Sequence, residues 1–296
     1  MGGGAWSHAE FTAYSKTLGR DVNNAGVVTT NYSHAQDMFK SRRIDKALDP
    51  MNAVRECCDT EEHPYTIPVI LALDVTGSMG SAAMEVAKKL NVVMTNLYEK
   101  VKDVEFLVMG IGDLAYDNAP IQATQFESDI RIAEQLDKVF FEAGGGGNAY
   151  ESYTAAWYFG LKHTKLDCWK RNKKGIIITM GDEPLNPYLP YCQLSNVTGD
   201  GLQANIETNE LYEEVTKKFD VYHLMVSDRE TALAYYERRV VDTFGKYLDG
   251  QHLIKVTLDS LANTIVDIVT NASENTLSTV GVTYNSEKAT DNGISW

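Results

Sequence analysis

IPVILALDVTGSMG, at residues 67–80, carries most of the information about the fold. Residues 66–73 form an apolar run rich in β-branched side chains, which is typical of a strand buried on both faces. Its one proline, Pro68, lies near the start, where a strand tolerates it best. A short polar turn with two glycines then leads into residues 81–101, where apolar residues recur at helical spacing. The stretch therefore predicts a buried strand, a tight turn and a helix.

The same alternation of strand and helix continues along the chain. Further strands are predicted at 104–110, 175–180, 221–226 and 253–258, with a short edge strand at 121–126. Helical spacing is found at 130–141, 151–163, 207–219, 231–244 and 261–272. This order indicates an α/β fold, a Rossmann-like three-layer sandwich with a mostly parallel central sheet covered by helices on both faces. Such sheets bind ligands at the carboxyl ends of their strands.

The two ends of the chain differ from this central part. Residues 1–62 are polar and mixed, and we predict an irregular N-terminal arm with one helix, capped by Ser33 and running to Leu48. The alternating pattern is predicted to form one domain over residues 63–272. Residues 273–296 are predicted to form a polar C-terminal tail, with a composition typical of disorder.

Composition and charge exclude several classes of protein. The chain has 296 residues, of which 44% are hydrophobic and 23% charged, as in globular proteins with a full-sized core. The formal net charge is −14, and the one short basic cluster, at residues 170–174, is offset by acids elsewhere, whereas duplex DNA binders need clustered Lys and Arg. No apolar run is long enough to span a bilayer, the first residues do not resemble a signal peptide, and the four cysteines form no CxxC pair. We expect a cytoplasmic protein with reduced thiols and no nucleic-acid or membrane partner.

Three oxygen-bearing side chains follow the first strand at alternate positions: Asp74, Thr76 and Ser78. A carboxylate and two hydroxyls at this spacing can place three oxygens around one point. Such all-oxygen sets favour Mg²⁺ or Mn²⁺ over Zn²⁺. Alternatively, Asp74 caps the following helix and the two hydroxyls bond the backbone. The spacing alone leaves both interpretations open.

Residues 67–80 resemble the DxSxS or DxTxS motif of von Willebrand factor type A (VWA) domains, including the apolar strand before it and the Met-Gly after it. The resemblance extends over residues 64–272 and implies a VWA fold with a metal-ion-dependent adhesion site. Members of that family complete the site with a hydroxyl from a second loop and an Asp after a later strand. Residues 175–184 read GIIITMGDEP and place Asp182 at the matching position.

The second loop departs from the family's pattern. Many members have a Gly-Gly-x-Thr loop, whereas residues 144–152 read GGGGNAYES, closer to a subgroup that includes VWA domains found with α-kinases. By register, Asn148 takes the place of the Thr or Asp, and its neutral amide oxygen is a weaker ligand for Mg²⁺. The resemblance therefore implies an ion held by Asp74, Thr76, Ser78, Asn148 and Asp182.

Two interpretations are open for each of the other acids near the carboxyl ends of the predicted strands. Asp113 closes the second strand, where the subgroup also has a carboxylate, and it either belongs to the site or bonds loop amides. Asp117 and Glu183 either support the metal ligands or are solvated acids. Residues 184–205 are longer than a usual strand-to-helix connection, with three prolines and two tyrosines, and are either a contact surface or an inert insertion. His223 lies inside a predicted strand and is expected to be a core residue.

These motifs favour binding over catalysis. The chain has no P-loop, GxSxG or HExxH motif, and Thr76 occupies the position where a phosphoaspartate hydrolase needs a second Asp. We predict a non-enzymatic, metal-dependent protein-binding module, an adaptor or scaffold whose Mg²⁺ (or Mn²⁺) is completed by a partner carboxylate. By family analogy, the partner would be an AAA-type ATPase or a member of a multi-protein bacterial or phage complex.

Two alternatives remain at this stage. The first is a structural subunit of a larger assembly with a vestigial metal site, which the substitution of Asn148 for a hydroxyl would favour. The second is a metal-dependent phosphoester hydrolase that uses Asp113 or Glu183 as its base.

Overall fold

The computed structural model describes residues 4–142, 150–227 and 233–278; within these ranges, side chains are not described for Ser78, Leu233, Ala234, Tyr236 and 274–278. The helices are α1 (His8–Thr17), α2 (Ala35–Met38), α3 (Gly80–Lys100), α4 (Arg131–Leu136), α5 (Thr154–Lys162), α6 (Tyr191–Thr198), α7 (Thr208–Val215), α8 (Leu233–Phe244) and α9 (Leu258–Ser278). The strands are β1 (Arg55–Cys57), β2 (Ile67–Asp74), β3 (Val104–Ile111), β4 (Ile121–Ala123), β5 (Thr164–Leu166), β6 (Gly175–Gly181), β7 (Tyr188–Leu189), β8 (Ile206–Glu207), β9 (Phe219–Val226) and β10 (Leu253–Val256). None of the helices in the described ranges is long and apolar enough to cross a membrane.

The central sheet has six strands in the order β10-β9-β6-β2-β3-β4. Neighbouring strands are parallel, except that β4 runs antiparallel to β3 at the edge. Helices α3, α4 and α9 pack on one face, and α5, α7 and α8 pack on the other. The predicted α/β sandwich with a mostly parallel sheet is confirmed.

Strand β2 is buried on both faces because its alternate residues enter two separate cores. Val69, Leu71 and Leu73 pack into the core beneath α3 and α9, whereas Ile70 and Ala72 pack into the core beneath α5. Burying a Val, Leu or Ile side chain contributes roughly 1.5–3 kcal/mol. Because β2 packs against both helical layers, its carboxyl end is held in a fixed position.

The N-terminal arm is more ordered than its sequence suggests. It contains α1, and apolar arm residues such as Phe11 join the core beneath α3. The predicted helix from Ser33 to Leu48 is wrong beyond Met38, because the next residue, Phe39, adopts extended backbone and stacks on Phe141 with ring centroids 4.4 Å apart. Aromatic burial outweighs local helical propensity here. The boundaries proposed for the arm, domain and tail stay predictions.

The segment after β6 is a folded insertion rather than an open loop. Strands β7 and β8 pair antiparallel, and α6 lies between them in the chain. Asn186 fastens the insertion to α5: its Oδ1 accepts from the Thr154 amide at 3.3 Å, and its Nδ2 donates to Thr154 Oγ1 at 2.6 Å. Helix α9 begins three residues earlier than predicted and runs on to Ser278. The rest of the predicted tail, residues 279–296, lies outside the described residues.

Candidate metal site

The candidate site lies at the carboxyl end of β2, between β3 and β6. From β2 the chain crosses through α3 to β3 on one side, whereas β6 continues to β9 on the other side. Chain paths that diverge in this way leave a crevice at the strand ends, which is where open α/β sheets bind ligands.

Asp74 is the fully buried last residue of β2. Its Oδ1 accepts hydrogen bonds from the Thr76 amide at 2.9 Å and from Thr76 Oγ1 at 2.5 Å. Its Oδ2 accepts from the Tyr153 hydroxyl at 2.8 Å. The bond to the amide two residues ahead is an Asx turn, so Asp74 shapes the turn. It does not cap the helix that follows, because the N-cap residues are Thr76 and Met79, and the Thr76 hydroxyl bonds the Asp74 carboxylate rather than the backbone. Together with the bond from Tyr153, these contacts fix the position of both carboxylate oxygens.

The charge of Asp74 is poorly compensated. Burial raises the pKa of its carboxyl to about 7, and the negative charge of Asp182 adds to the rise, although the bonds from Thr76 and Tyr153 oppose it. None of these main influences is a cation. Ionisation of Asp74 in the folded protein therefore costs free energy, and a bound cation would remove this cost.

Tyr153 joins the end of β2 to the loop after β6. Its fully buried hydroxyl donates to Asp74 and accepts from the Glu183 amide at 3.3 Å. Burial and the nearby acids raise its pKa far above the usual value, so the phenol stays neutral and remains a donor. The contact needs a glycine at position 181, because a Cβ on Gly181 would approach the Tyr153 hydroxyl to 1.9 Å.

Glu151 is a second buried acid at this edge. Burial raises its pKa to about 10, and the negative charges of Asp74, Asp117 and Asp113 add to the rise. Its Oε2 is buried without a hydrogen-bond partner, and its backbone bridges that of Leu185 in the loop after β6. The crevice therefore brings together acids from four chain segments: the end of β2, the loop after β3, the segment before α5 and the loop after β6.

The structure brings three of the five predicted ligands to one edge. Asp74 and Thr76 are in contact, and Asp182, half-buried just after β6, lies near enough to raise the Asp74 pKa. Ser78 lies in the one-turn 3₁₀ helix Gly77–Met79, but its side chain is not described. Asn148 lies outside the described residues. Within the described ranges, no three His, Cys, Asp or Glu side chains are grouped closely enough to hold an ion.

The chemistry of this donor set fits a hard divalent cation. The candidate donors are carboxylate and hydroxyl oxygens, and Mg²⁺ typically binds through one or two carboxylates while keeping several waters. The buried, uncompensated carboxylate of Asp74 would gain most from such an ion.

Asp113 holds the loop after β3. Its Oδ1 accepts from the Ala115 amide at 2.8 Å, and its own amide donates to Asp117 Oδ2 at 2.6 Å. The bond from the Ala115 amide agrees with the second interpretation of Asp113, as an acid that bonds loop amides. His223 is fully buried, as predicted, with Nδ1 2.9 Å from Thr179 Oγ1, and burial lowers its pKa to about 3.

Sequence reasoning missed Tyr153 and Glu151 as members of the site. Tyr153 belongs to a strongly apolar run and reads as one more core aromatic. The available signal was its place directly after the glycine-rich loop, at the start of α5, where a side chain faces the strand ends.

Exposed aromatic side chains stand around the same edge. Tyr116, Tyr150, Tyr188 and Tyr235 are exposed and lie in segments after β3, before α5, after β6 and after β9. The Arg239 guanidinium lies 5.5 Å from the Tyr150 ring centroid and 5.7 Å from that of Tyr235. Exposed tyrosines of this kind are common in protein contact surfaces.

The arm forms one wall of a cavity beside Thr76. The cavity has a volume of about 250 Å³ and lies between α2 and the first turn of α3. His34 and Gln36 line it from the arm, Gly77 lines it from the turn that carries the motif, and Ser81 lines it from the first turn of α3. The arm thus helps to shape access to the candidate site.

No protein-family model matches the chain, and no curated protein sequence matches it. Three solved structures with similar architecture come from bacterial pili. The pilus adhesin SpaC from Lactobacillus rhamnosus GG, in its open conformation, is 11% identical with a TM-score of 0.48, over 76% of this chain and 31% of SpaC. The vWF domain of the pilus tip protein Mfa5 from Porphyromonas gingivalis is 11% identical with a TM-score of 0.42, over 76% and 98%. The minor pilin PilB from Streptococcus sanguinis is 12% identical with a TM-score of 0.47, over 74% and 64%.

The chain spans about a third of the length of SpaC. At identities of 11–12% and these TM-scores, the three likenesses assign neither a family nor a function to this chain.

Proposed function

We propose that this chain is a VWA-type domain that binds a partner protein through a divalent cation, Mg²⁺ or Mn²⁺. The ion would be held by Asp74, Thr76, Ser78, Asn148 and Asp182. The observation that carries the proposal is the Asp74 carboxylate, which is fully buried at the carboxyl end of β2 beside the Thr76 hydroxyl and further acids. Its pKa is raised mainly by burial and also by the negative charge of Asp182.

On this proposal the protein leaves part of the coordination shell to water, and a partner Asp or Glu displaces one of these waters. The partner supplies charge to an ion that the domain neutralises only in part, so removal of the metal releases the partner. The exposed tyrosines at this edge support such a contact, because rigid aromatic side chains give large contact area at a low entropic cost. We propose a non-enzymatic role, which the position of Asp113 supports, since its Oδ1 holds the Ala115 amide.

The proposal places the protein in the cytoplasm, in a multi-protein assembly. An AAA-type ATPase and the components of bacterial or phage complexes are the first partners to test, by analogy with intracellular VWA proteins.

Calorimetric titration tests the metal site directly. Wild type should take up Mg²⁺ and Mn²⁺ with saturation, and Asp74→Asn should lose this uptake, because an amide gives no charge to the ion. Glu99→Gln removes an exposed acid at the end of α3 and serves as the control for net charge. Equal uptake by wild type and Asp74→Asn would sink the proposed site.

A partner-capture experiment separates the metal-dependent adaptor from the structural subunit. The protein is used as bait with and without EDTA, and the Asp74→Asn variant is compared with wild type. We expect the partner to be lost in both cases. A partner that stays bound in EDTA and to Asp74→Asn would favour a structural subunit with a vestigial metal site.

A further inference from the structure

A second cleft lies away from the candidate metal site, between the arm and α4. It has a volume of about 380 Å³. One wall is formed by the loop that carries Lys46 and Asp49, together with Arg55. The other wall is formed by Gln125, Arg131, Glu134, Gln135 and Lys138. The cleft therefore borders β4, the edge strand of the sheet on the far side of β3 from β2.

Among the residues that the structure describes, Arg55 is a buried cation without a counter-ion. The residue is 8% exposed. Within the described part of the chain, its hydrogen bonds all come from Nη2, which donates to the carbonyls of Ala47 at 3.0 Å, Ala123 at 2.9 Å and Asp49 at 3.5 Å. Its Nε is buried without a partner, and its Nη1 makes no hydrogen bond to the described residues. Burial lowers the pKa of the guanidinium, and the charge of Asp49 opposes the shift without forming an ion pair. A buried, unpaired charge of this kind is costly and is normally matched by an anion.

Five other charged residues line the cleft, three of them cations and two of them acids. Lys46 and Lys138 are exposed at its rim and take part in no ion pair among the described residues. Arg131 is neutralised by Glu127 and Asp129. Against these stand the acids Asp49 and Glu134. Of the charged residues that line the cleft, four are cations and two are acids, and the ion pairs of Arg131 leave Arg55, Lys46 and Lys138 available to an anion, on a protein with a formal net charge of −14.

We propose that this cleft binds a phosphate group, either inorganic phosphate or a small phosphate monoester, with Arg55 at its base and Lys46 and Lys138 at its rim. Guanidinium N–H groups match phosphate oxygens in geometry, and lysines act on phosphate as mobile point charges. The bonds from Nη2 to three carbonyls hold the guanidinium in place, so that Nη1 is available to the anion. The site does not depend on the proposed metal function, and it is tested in EDTA.

The test titrates inorganic phosphate into the full chain at constant ionic strength in the presence of EDTA. We expect saturable binding by wild type and at least about tenfold weaker binding by the double variant Lys46→Gln/Lys138→Gln, since charge-assisted hydrogen bonds are the strong ones. The matched control Lys102→Gln/Lys246→Gln makes the same change in net charge at exposed lysines elsewhere and should bind like wild type. Both double variants change only exposed residues and should fold.

Three outcomes decide the proposal. Equal losses in the two double variants would show general charge screening and overturn it. No saturation up to about 10 mM phosphate, where a site contributes little binding free energy, would also overturn it. Loss confined to Lys46→Gln/Lys138→Gln supports it, and AMP with adenosine as its phosphate-free control then identifies the source: AMP tighter than phosphate indicates a monoester, and phosphate tighter than AMP indicates the free anion.

Discussion

Replacing Asp74 by Asn should stabilise the protein when no metal is present. The substitution keeps the shape of the side chain: Oδ1 can still accept from Thr76, and the new amide can donate to the Tyr153 oxygen. What it removes is a carboxyl whose pKa is raised from 3.8 to about 7 by burial and by Asp182. At about 1.36 kcal/mol per pH unit, ionising this group in the native state costs on the order of 4 kcal/mol at pH 8.

The pH dependence of this effect has a definite sign. Between about pH 4 and pH 7 the unfolded chain has lost the Asp74 proton while the native state retains it, so stability falls as pH rises through this window and levels off above it. The cost is already about 2 kcal/mol at pH 5. The stability advantage of Asp74→Asn over wild type should therefore grow by about 2 to 3 kcal/mol between pH 5 and pH 8.

Urea denaturation in EDTA at a series of pH values measures this difference, with Glu99→Gln as the control for net charge. Mg²⁺ at a hundredfold excess over its Kd should then stabilise wild type by about 2.7 kcal/mol and leave Asp74→Asn unchanged. An Asp74→Asn variant that is no more stable than wild type at pH 8, or an advantage that does not grow with pH, would refute the idea that burial holds this carboxylate at a cost.

Three further predictions concern the supports of the site and of the arm. Tyr153→Phe removes the hydrogen-bond donor to Asp74 and should weaken Mg²⁺ binding about tenfold in calorimetry. The control Tyr158→Phe deletes a hydroxyl-to-carboxylate bond elsewhere on α5 and should destabilise the fold without changing metal affinity. Equal Mg²⁺ affinities for the two variants would contradict the positioning role of Tyr153. Gly181→Ala places a methyl group against the Tyr153 hydroxyl and should cost about 1–3 kcal/mol in urea denaturation, so an unchanged midpoint would show that the loop after β6 moves freely. Asp137→Ala removes the carboxylate that forms a bidentate ion pair with the buried Arg20. It should lower the free energy of unfolding by about 3 kcal/mol and speed proteolysis of the arm. An unchanged cleavage rate would mean that the arm is held by its apolar contacts alone.

Local patterns in the sequence were sufficient for the central layer of the fold. The apolar run that becomes β2 and the helical spacing that becomes α3 each reflect interactions within a few residues or burial of the whole element. The arm was harder, because the helix predicted from Ser33 ends at Met38 so that Phe39 can stack on Phe141, about a hundred residues away. Packing over that distance leaves no periodic trace in the sequence.

The insertion after β6 shows the same limit. Its length and its tyrosines were visible in the sequence, but its attachment to α5 depends on Asn186, which bonds the backbone amide and the hydroxyl of Thr154. Ser78 and Asn148 stay predictions of the motif, because the structure does not describe the Ser78 side chain or residue 148.

The sequence by itself determined that Asp74 and Thr76 would stand together at the end of a buried strand, because their spacing and the apolar run before them are local properties. Only the tertiary structure decided what surrounds that carboxylate. Tyr153 lies 79 residues further along the chain, and Asp182 and Glu151 come from other connections. They meet because β2 lies between β3 and β6 in the sheet. The same holds for Arg55, whose missing counter-ion follows from the way the arm folds over the edge strand, since burial and charge pairing are properties of the assembled chain.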